Sequence, residues 1–288
     1  MAEPILKWVG GKRQLLSDLR SRFPIEYDGY HEPFIGGGAV FFKLEPTIGS
    51  INDLNRRLIT FYKIIRDHPD QLIKENQRHS YDEDYYYDAR DRFNKLHTLD
   101  ERSVKQEVEE ASLMLYLNRT GYNGLYRENQ SGGFNVPFGE HSNPDFIRKK
   151  QIRAASAILV DIDIHNADFT YIAEQATPKD LVYFDPPYEP VSKTADFTQY
   201  QSDGFSKSDQ ERLRDLAIRL NKNNVYVVIS NSPPVWELYA DIPDFTVSYV
   251  NAARMVNSDA SNRGDVAEVI ITNVPPGQQQ QQKICDYM

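Results

Sequence analysis

A single cysteine, Cys285, stands among 288 residues. That excludes an internal disulfide and any zinc site built on cysteine. The six histidines (His31, His68, His79, His97, His141 and His165) show no zinc-ligand spacing, so no metal is expected. Long hydrophobic runs are missing too: nothing approaches the ~18 consecutive apolar residues that span a bilayer, and the first residues hold no apolar signal core. A soluble, cytoplasmic chain with no membrane partner is expected. An excess of positive charge is also absent, with 33 Lys and Arg against 42 Asp and Glu for a net charge of -9. The charge is unevenly spread, however: residues 118–155 carry 6 basic and 3 acidic side chains among many Gly, Asn and Tyr. Binding a polyanion needs such a local footprint more than a basic whole.

What is present reads as a folded α/β chain. It is 40% hydrophobic and 12% aromatic, long enough for one large domain or one domain with an inserted module. Apolar, β-branched runs predict strands at 30–35, 50–52, 158–164, 181–184, 225–230, 245–250 and 267–272. Helical spacing fits 12–22, 56–66, 107–117 and 209–220, the last opened by Ser208 and Glu211 as a capping box. Alternating strands and helices predict a doubly wound, mostly parallel sheet. Two strand–helix units come early and the rest late, so a helical and loop module is inserted over 58–155 between parts 1–57 and 156–275. Residues 276–288, with five glutamines from Gln278, are expected to be a disordered tail. The Ser/Asn/Asp-rich stretch from Arg254 to Arg263 reads as a loop before the last strand.

Two motifs carry chemistry. Phe34-Ile35-Gly36-Gly37-Gly38 follows a strand, and glycines there let the backbone turn tightly against a ligand. It is not a full dinucleotide fingerprint, since Phe41 stands where a third glycine belongs. Gly10-Gly11-Lys12-Arg13 is not a P-loop, because Leu6 and Arg13 break that pattern. Asp53 ends the next strand, where a carboxylate accepts from the two ribose hydroxyls of an adenosine. The second motif is Asp185-Pro186-Pro187-Tyr188 at the end of an apolar strand. The prolines stiffen the turn and remove two donors, leaving a carboxylate and a carbonyl to accept from an exocyclic amine beside a stacking ring.

With Lys7-Trp8-Val9-Gly10-Gly11-Lys12 and Ile51-Asn52-Asp53, these motifs occur in the order seen in Dam-type (D12 class) DNA adenine-N6 methyltransferases. Asn118-Arg119-Thr120-Gly121-Tyr122-Asn123-Gly124-Leu125-Tyr126-Arg127 and Phe134-Asn135-Val136-Pro137-Phe138-Gly139 resemble that family's target-recognition segments. The resemblance covers residues 5–273. It implies a Rossmann-like S-adenosylmethionine-dependent sheet with an inserted helical target-recognition domain over 58–155, and adenine in duplex DNA as methyl acceptor. Trp8, Lys12, Phe34, Gly36, Asp53, Asp168, Phe169 and Asp185 match cofactor positions. Asp185, Pro186 and Tyr188 match catalytic positions facing a flipped adenine. Lys7, Tyr122, Asn123, Leu125, Arg127 and Pro137 match positions that touch DNA in relatives.

The implied target is GATC or a related short palindrome. Glu140, however, stands where better-known relatives often carry Arg, and a carboxylate cannot read guanine O6 and N7. Two other readings remain: a cytosine-N4 methyltransferase, which typically carries Ser at the position of Asp185, and a DNA-binding protein that lost turnover. Arg148, Lys149 and Lys150 are expected to hold DNA without regard to sequence. Tyr81 and Tyr85 to Tyr87 are read as packing residues, Arg56 and Arg57 as a solvated helix face, and the oligomeric state is left open.

Overall fold

A computed structural model describes residues 2–8, 10, 12–188, 205–253 and 265–280. Val9, Gly11, the Arg254–Arg263 stretch and Cys285 lie outside the described residues. A 3-10 turn (Lys12–Gln14) leads into α1 (Leu16–Arg20), β1 (Tyr30–Glu32), α2 (Phe41–Leu44), β2 (Gly49–Asn52) and α3 (Arg56–Asp67). Then come α4 (Pro69–Asn76), α5 (Glu83–His97), α6 (Val104–Thr120), α7 (Lys149–Leu159), β3 (Ile162–His165) and α8 (Ile172–Gln175). The chain closes with β4 (Leu181–Phe184), α9 (Lys207–Lys222), β5 (Tyr226–Asn231), β6 (Thr246–Ala253) and β7 (Asp265–Thr272). Among the described residues the strands form a seven-stranded sheet of order β3-β2-β1-β4-β5-β7-β6. The pairs β2–β3, β1–β4 and β4–β5 are parallel, and β7 runs antiparallel to β5 and β6. This is the expected mostly parallel, Rossmann-like α/β arrangement. No helix among the described residues is long and apolar enough to cross a membrane.

The chain divides into two compact units. One holds the described residues up to Gly10 together with 35–168. Its spine is α6, in which every residue from Ala111 to Leu117 is buried. A helical stretch without an exposed face must be covered on every side, and α3, α4 and α5 all pack on this helix. The boundaries expected near 58 and 155 fall inside α3 and α7, and those helices pack on each other and on β3. The helical module and the β2–β3 pair therefore make one body.

The second unit holds residues 12–34 and, among the described residues, the chain from Phe169 onward. All four residues of β4 are buried, as befits a strand covered on both faces. Phe184 pairs with Ile229, so the next residues, Asp185 and Ser230, emerge side by side at the carboxyl end of the parallel strands. Because β7 is antiparallel, with Asn231 opposite Val269, it begins where the parallel strands end and brings Glu268 to that same end.

Several expectations are corrected. The strand expected over 158–164 begins only at Ile162, because Leu159 completes the Ile152, Ala155, Leu159 stripe that buries α7. The capping box of α9 uses Ser206 and Asp209, not Ser208 and Glu211: the same spacing occurs two residues earlier, where the chain enters the helix. Arg57 is 1% exposed rather than solvated, with its guanidinium 4.2 Å from the Phe93 ring centroid. The glutamine segment starts inside the fold. Ile25 N donates to the Gln278 carbonyl (2.8 Å), and Gln280 N to the Phe23 carbonyl (2.9 Å). The Gln280 side-chain amide also donates to the Pro24 carbonyl (3.1 Å), so residues 276–280 are ordered by backbone pairing that composition does not reveal.

Candidate active site

In the first unit the glycine turn is built around Trp8. Gly36 and Gly38 have φ of 46° and 69°, a region costly for other residues. A Cβ at Gly36 would stand 3.0 Å from Trp8 Cδ1, and one at Gly37 2.8 Å from Trp8 Cβ. The turn is pinned from two sides: Tyr62 Oη donates to the Gly36 carbonyl (2.7 Å), and Gly36 N donates to Asp53 Oδ2 (3.1 Å). Asp53 Oδ1 accepts from Asn55 N (2.9 Å). Burial raises the Asp53 carboxyl above its usual range, opposed by these two N–H donors. A carboxylate offers about four lone-pair directions, so acceptor capacity remains for a diol. Asn52 holds the neighbouring loop by a reciprocal pair of bonds with Ala167 (2.8 and 3.0 Å), which sets Asp168 beside the end of β2. Trp8, Gly36, Asp53 and Asp168 are thus brought together.

In the second unit Asp185 is the centre. Its Oδ1 accepts from Ser230 Oγ (3.0 Å) and faces Lys12 Nζ at 3.0 Å. Among the described residues no hydrogen bond reaches Oδ2. Burial pushes the Asp185 carboxyl up, and Lys12 and Ser230 oppose it. Lys12 Nζ also lies 4.4 Å from the Tyr188 ring centroid, and Tyr188 Oη donates to Glu268 Oε2. Tyr183 Oη and Ser230 Oγ share a hydrogen bond (2.8 Å) behind the carboxylate. Pro186 is buried and Pro187 exposed. Phe34 packs 5.5 Å from Phe169 and 6.4 Å from Phe184, so the two expected phenylalanines form one apolar wall.

Five of the six expected DNA-facing residues sit on one loop and hairpin of the first unit, and the sixth, Lys7, lies on the N-terminal segment beside it. Asn118, buried at the end of α6, accepts from Lys7 N (2.8 Å) and donates to the carbonyls of Lys7 (2.8 Å) and Gly124 (3.1 Å). The Lys7 stem lies so close to Gly124 that a Cβ there would meet Lys7 Cδ at 2.2 Å. Burial and the neighbouring Arg119 hold the Lys7 ammonium below its ordinary value. Tyr122 and Asn123 are exposed at the tip, Asn123 at φ 55°, and Tyr122 N donates to the Pro137 carbonyl (2.9 Å). Leu125 is half-buried and Pro137 exposed. Arg127 is aimed by Asn135, with Nε donating to Oδ1 (2.7 Å) and Nη2 to the carbonyl (3.2 Å). Tyr126 stacks on Trp8 with centroids 5.0 Å apart, joining this hairpin to the glycine turn.

Of the expected sequence-blind basic set, Lys149 and Lys150 are exposed, whereas Arg148 is 11% exposed and lies 3.6 Å from Asp145. Tyr86 is buried with Oη donating to the Val136 carbonyl (3.0 Å), a packing role as read from sequence. Sequence reasoning assigned nothing to Ser230, Glu268, Asn118 or Tyr126. Only Asn118 and Tyr126 lay inside a motif that pointed to them. Among the described residues no group of three or more His, Cys, Asp or Glu is placed to hold a metal.

Comparison with known proteins bears on this arrangement. The model of the D12 class N6 adenine-specific DNA methyltransferase family matches residues 8–260. The type II methyltransferase M1.LlaDCHI of Lactococcus lactis is 41% identical over 278 residues, 94% of this chain and 95% of its own. The type II methyltransferase M.MjaIII of Methanocaldococcus jannaschii is 37% identical over 290 residues, 94% of this chain and 99% of its own. A DNA adenine methylase of Vibrio cholerae is 33% identical over 284 residues, 94% and 95% of the two chains.

Proposed function

This chain belongs to the D12 class N6 adenine-specific DNA methyltransferase family, and from that premise we propose which residues bind, present and discriminate its substrates. Asp185 is the observation that carries the reading: one carboxylate oxygen is held by Lys12 and Ser230 while the other keeps its acceptor capacity at the end of β4. The adenine amine is a poor nucleophile, because its lone pair is delocalised into the ring. Asp185 Oδ2 and the Pro186 carbonyl each accept an N6–H and draw the nitrogen toward sp³ geometry. Tyr188 stacks on the base, offsetting part of the few kcal/mol that unstacking costs. S-adenosylmethionine supplies an activated methyl group on a sulfonium centre. Transfer is direct and in line, and the surplus N6 proton leaves along the Asp185 hydrogen bond. The contribution of the protein is chiefly orientation.

The glycine turn, the Trp8 indole and the Asp53 carboxylate fit an adenosine: a flat ring, a close backbone approach and an acceptor for a diol. Trp8, Gly36, Asp53 and Asp168 are assigned to it. Lys12, Phe34, Phe169 and Asp185 are assigned to the cofactor on the family resemblance. Target recognition is assigned to the 58–155 segment and to Lys7, with Tyr122, Asn123, Leu125, Arg127 and Pro137 facing duplex DNA. The Arg127 fork suits guanine O6 and N7, which supports GATC or a related short palindrome.

The test is to incubate the protein with S-adenosylmethionine and unmethylated duplex DNA, hydrolyse the DNA and identify its methylated nucleosides by mass. N6-methyladenine is expected, and it should vanish with Asp185→Ala. N4-methylcytosine would overturn the base assignment, and turnover retained by Asp185→Ala would overturn the role of that carboxylate.

A further inference from the structure

Glu268 of β7 has no part in the mechanism above, yet it touches two members of the Asp185 group. Tyr188 Oη donates to its Oε2, and Lys12 Nζ lies 3.9 Å from the same oxygen. The carboxylate is only 15% exposed, and antiparallel β7 delivers it to the sheet end where Asp185 emerges. Stacking on a base needs only an aromatic face, which phenylalanine offers as well as tyrosine. The hydroxyl of Tyr188 is spent on Glu268. A ring hinged at Cβ swings about its first side-chain torsion, and a hydrogen bond at its far end, which lies on the axis of the second torsion, fixes where that axis points. A carboxylate acceptor makes such a bond short and strong.

We propose that Glu268 is the positioning residue for Tyr188: it fixes the place and direction of the ring on which the target adenine stacks, and so the placement of N6 over Asp185. This rests on the assignment of Asp185 and Tyr188 to the adenine. Lys12 takes part by neutralising both carboxylates from one point, 3.0 Å from Asp185 and 3.9 Å from Glu268.

Steady-state kinetics on a duplex that the enzyme methylates tests the proposal, together with the same duplex carrying 2-aminopurine at the target position. Glu268→Ala is expected to lower kcat by about tenfold to a hundredfold, the cost of a misplaced reacting atom, with the KM for S-adenosylmethionine unchanged. Tyr188→Phe should show the same loss, and the double variant no further loss, because both changes remove one interaction. Glu268→Gln, whose amide oxygen still accepts from Oη, should recover most of the turnover. Bound 2-aminopurine should fluoresce more strongly in Glu268→Ala and Tyr188→Phe than in the parent, since a loosely held ring quenches it less.

Full turnover in Tyr188→Phe, or losses that add in the double variant, would overturn the proposal. Asp185→Ala assayed in parallel separates the two layers. Activity there overturns the adenine assignment, whereas an inactive Asp185→Ala beside an unimpaired Glu268→Ala overturns only the role of Glu268. Thermal unfolding is recorded for each variant, and if Glu268→Ala does not fold, Glu268→Gln and Tyr188→Phe carry the comparison.

Discussion

Lys12 Nζ stands 3.0 Å from Asp185 Oδ1, with the two side chains 6% and 21% exposed. The pair brings together a residue from the first motif and one from the last, 173 positions apart. Burial raises the Asp185 carboxyl and the ammonium opposes that rise, so Lys12 favours the ionised acceptor needed for the adenine amine.

The pH dependence follows from that balance. A carboxyl raised above its ordinary value of ~3.9 is protonated sooner as pH falls, and a protonated Asp185 accepts from N6 less well. The acid limb of kcat/KM is therefore expected above the ordinary carboxylate range. Lys12→Met should move that limb to still higher pH, because only the opposing ammonium is removed. An acid limb that stays in place in Lys12→Met would contradict this account. The sign for folding is the reverse of the common Asp case: a raised carboxyl favours the fold at low pH and loses that contribution as pH rises through its value.

Gly38 and Gly132 offer a controlled comparison of backbone strain. Both have positive φ, 69° and 76°. A Cβ at Gly38 would lie 2.9 Å from the Phe42 ring, whereas one at Gly132 meets nothing within 4 Å. Alanine at either site incurs the conformational cost of about 1–2 kcal/mol. Gly38→Ala adds overpacking, of order 1–3 kcal/mol. Urea unfolding should rank Gly38→Ala clearly below Gly132→Ala, and equal midpoints would refute the packing argument.

Asn118 closes three hydrogen bonds with Lys7 and Gly124 while 1% exposed. Alanine there leaves buried backbone groups without partners, at roughly 1–3 kcal/mol for each unsatisfied group. Lower stability in urea is expected, with DNA affinity at fixed salt falling more than affinity for the methyl donor. An undiminished grip on DNA would show that the loop holds its shape without Asn118.

Arg127 and the pair Lys149 and Lys150 should behave oppositely on DNA. Asn135 aims the Arg127 guanidinium, so Arg127→Ala is expected to relax sequence choice by about 1–3 kcal/mol of discrimination. Lys149→Ala or Lys150→Ala should weaken all duplexes alike and reduce the slope of log affinity against log salt by about 1 for each phosphate no longer neutralised. Methylation measured across substrates with single-base changes, at several salt concentrations, separates the two behaviours.

Features that depend on near neighbours in the chain were legible from sequence. The buried run Leu181–Phe184 announces a strand covered on both faces, and Asp185-Pro186-Pro187-Tyr188 announces its rigid end. Gly36 and Gly38 sit where the backbone takes positive φ, as a glycine turn after a strand suggests. The α9 cap was missed by only two residues, because Ser-x-x-acid spacing occurs twice in succession and composition does not say at which copy the chain enters the helix. Arg57 was misread for a different reason. Its charge predicts solvent, and nothing local shows that Phe93 and Glu128 will cover it.

By itself the sequence determined the order of motifs, the strand and turn chemistry at each, and through them the family. Those properties are set by side-chain type and spacing over a few residues, where sterics and burial periodicity act directly. Tertiary structure alone decided that Ser230 stands beside Asp185 and that Glu268 meets Tyr188. It also decided that Asn118 ties Lys7 to the loop at Gly124. Ser230 comes from the register of β5 against β4, and Glu268 from the antiparallel course of β7. The Asn118 clamp comes from the end of α6 reaching a segment 111 residues away. Pairing at such separations is chosen by which surfaces bury together, and no local pattern in the chain encodes that choice.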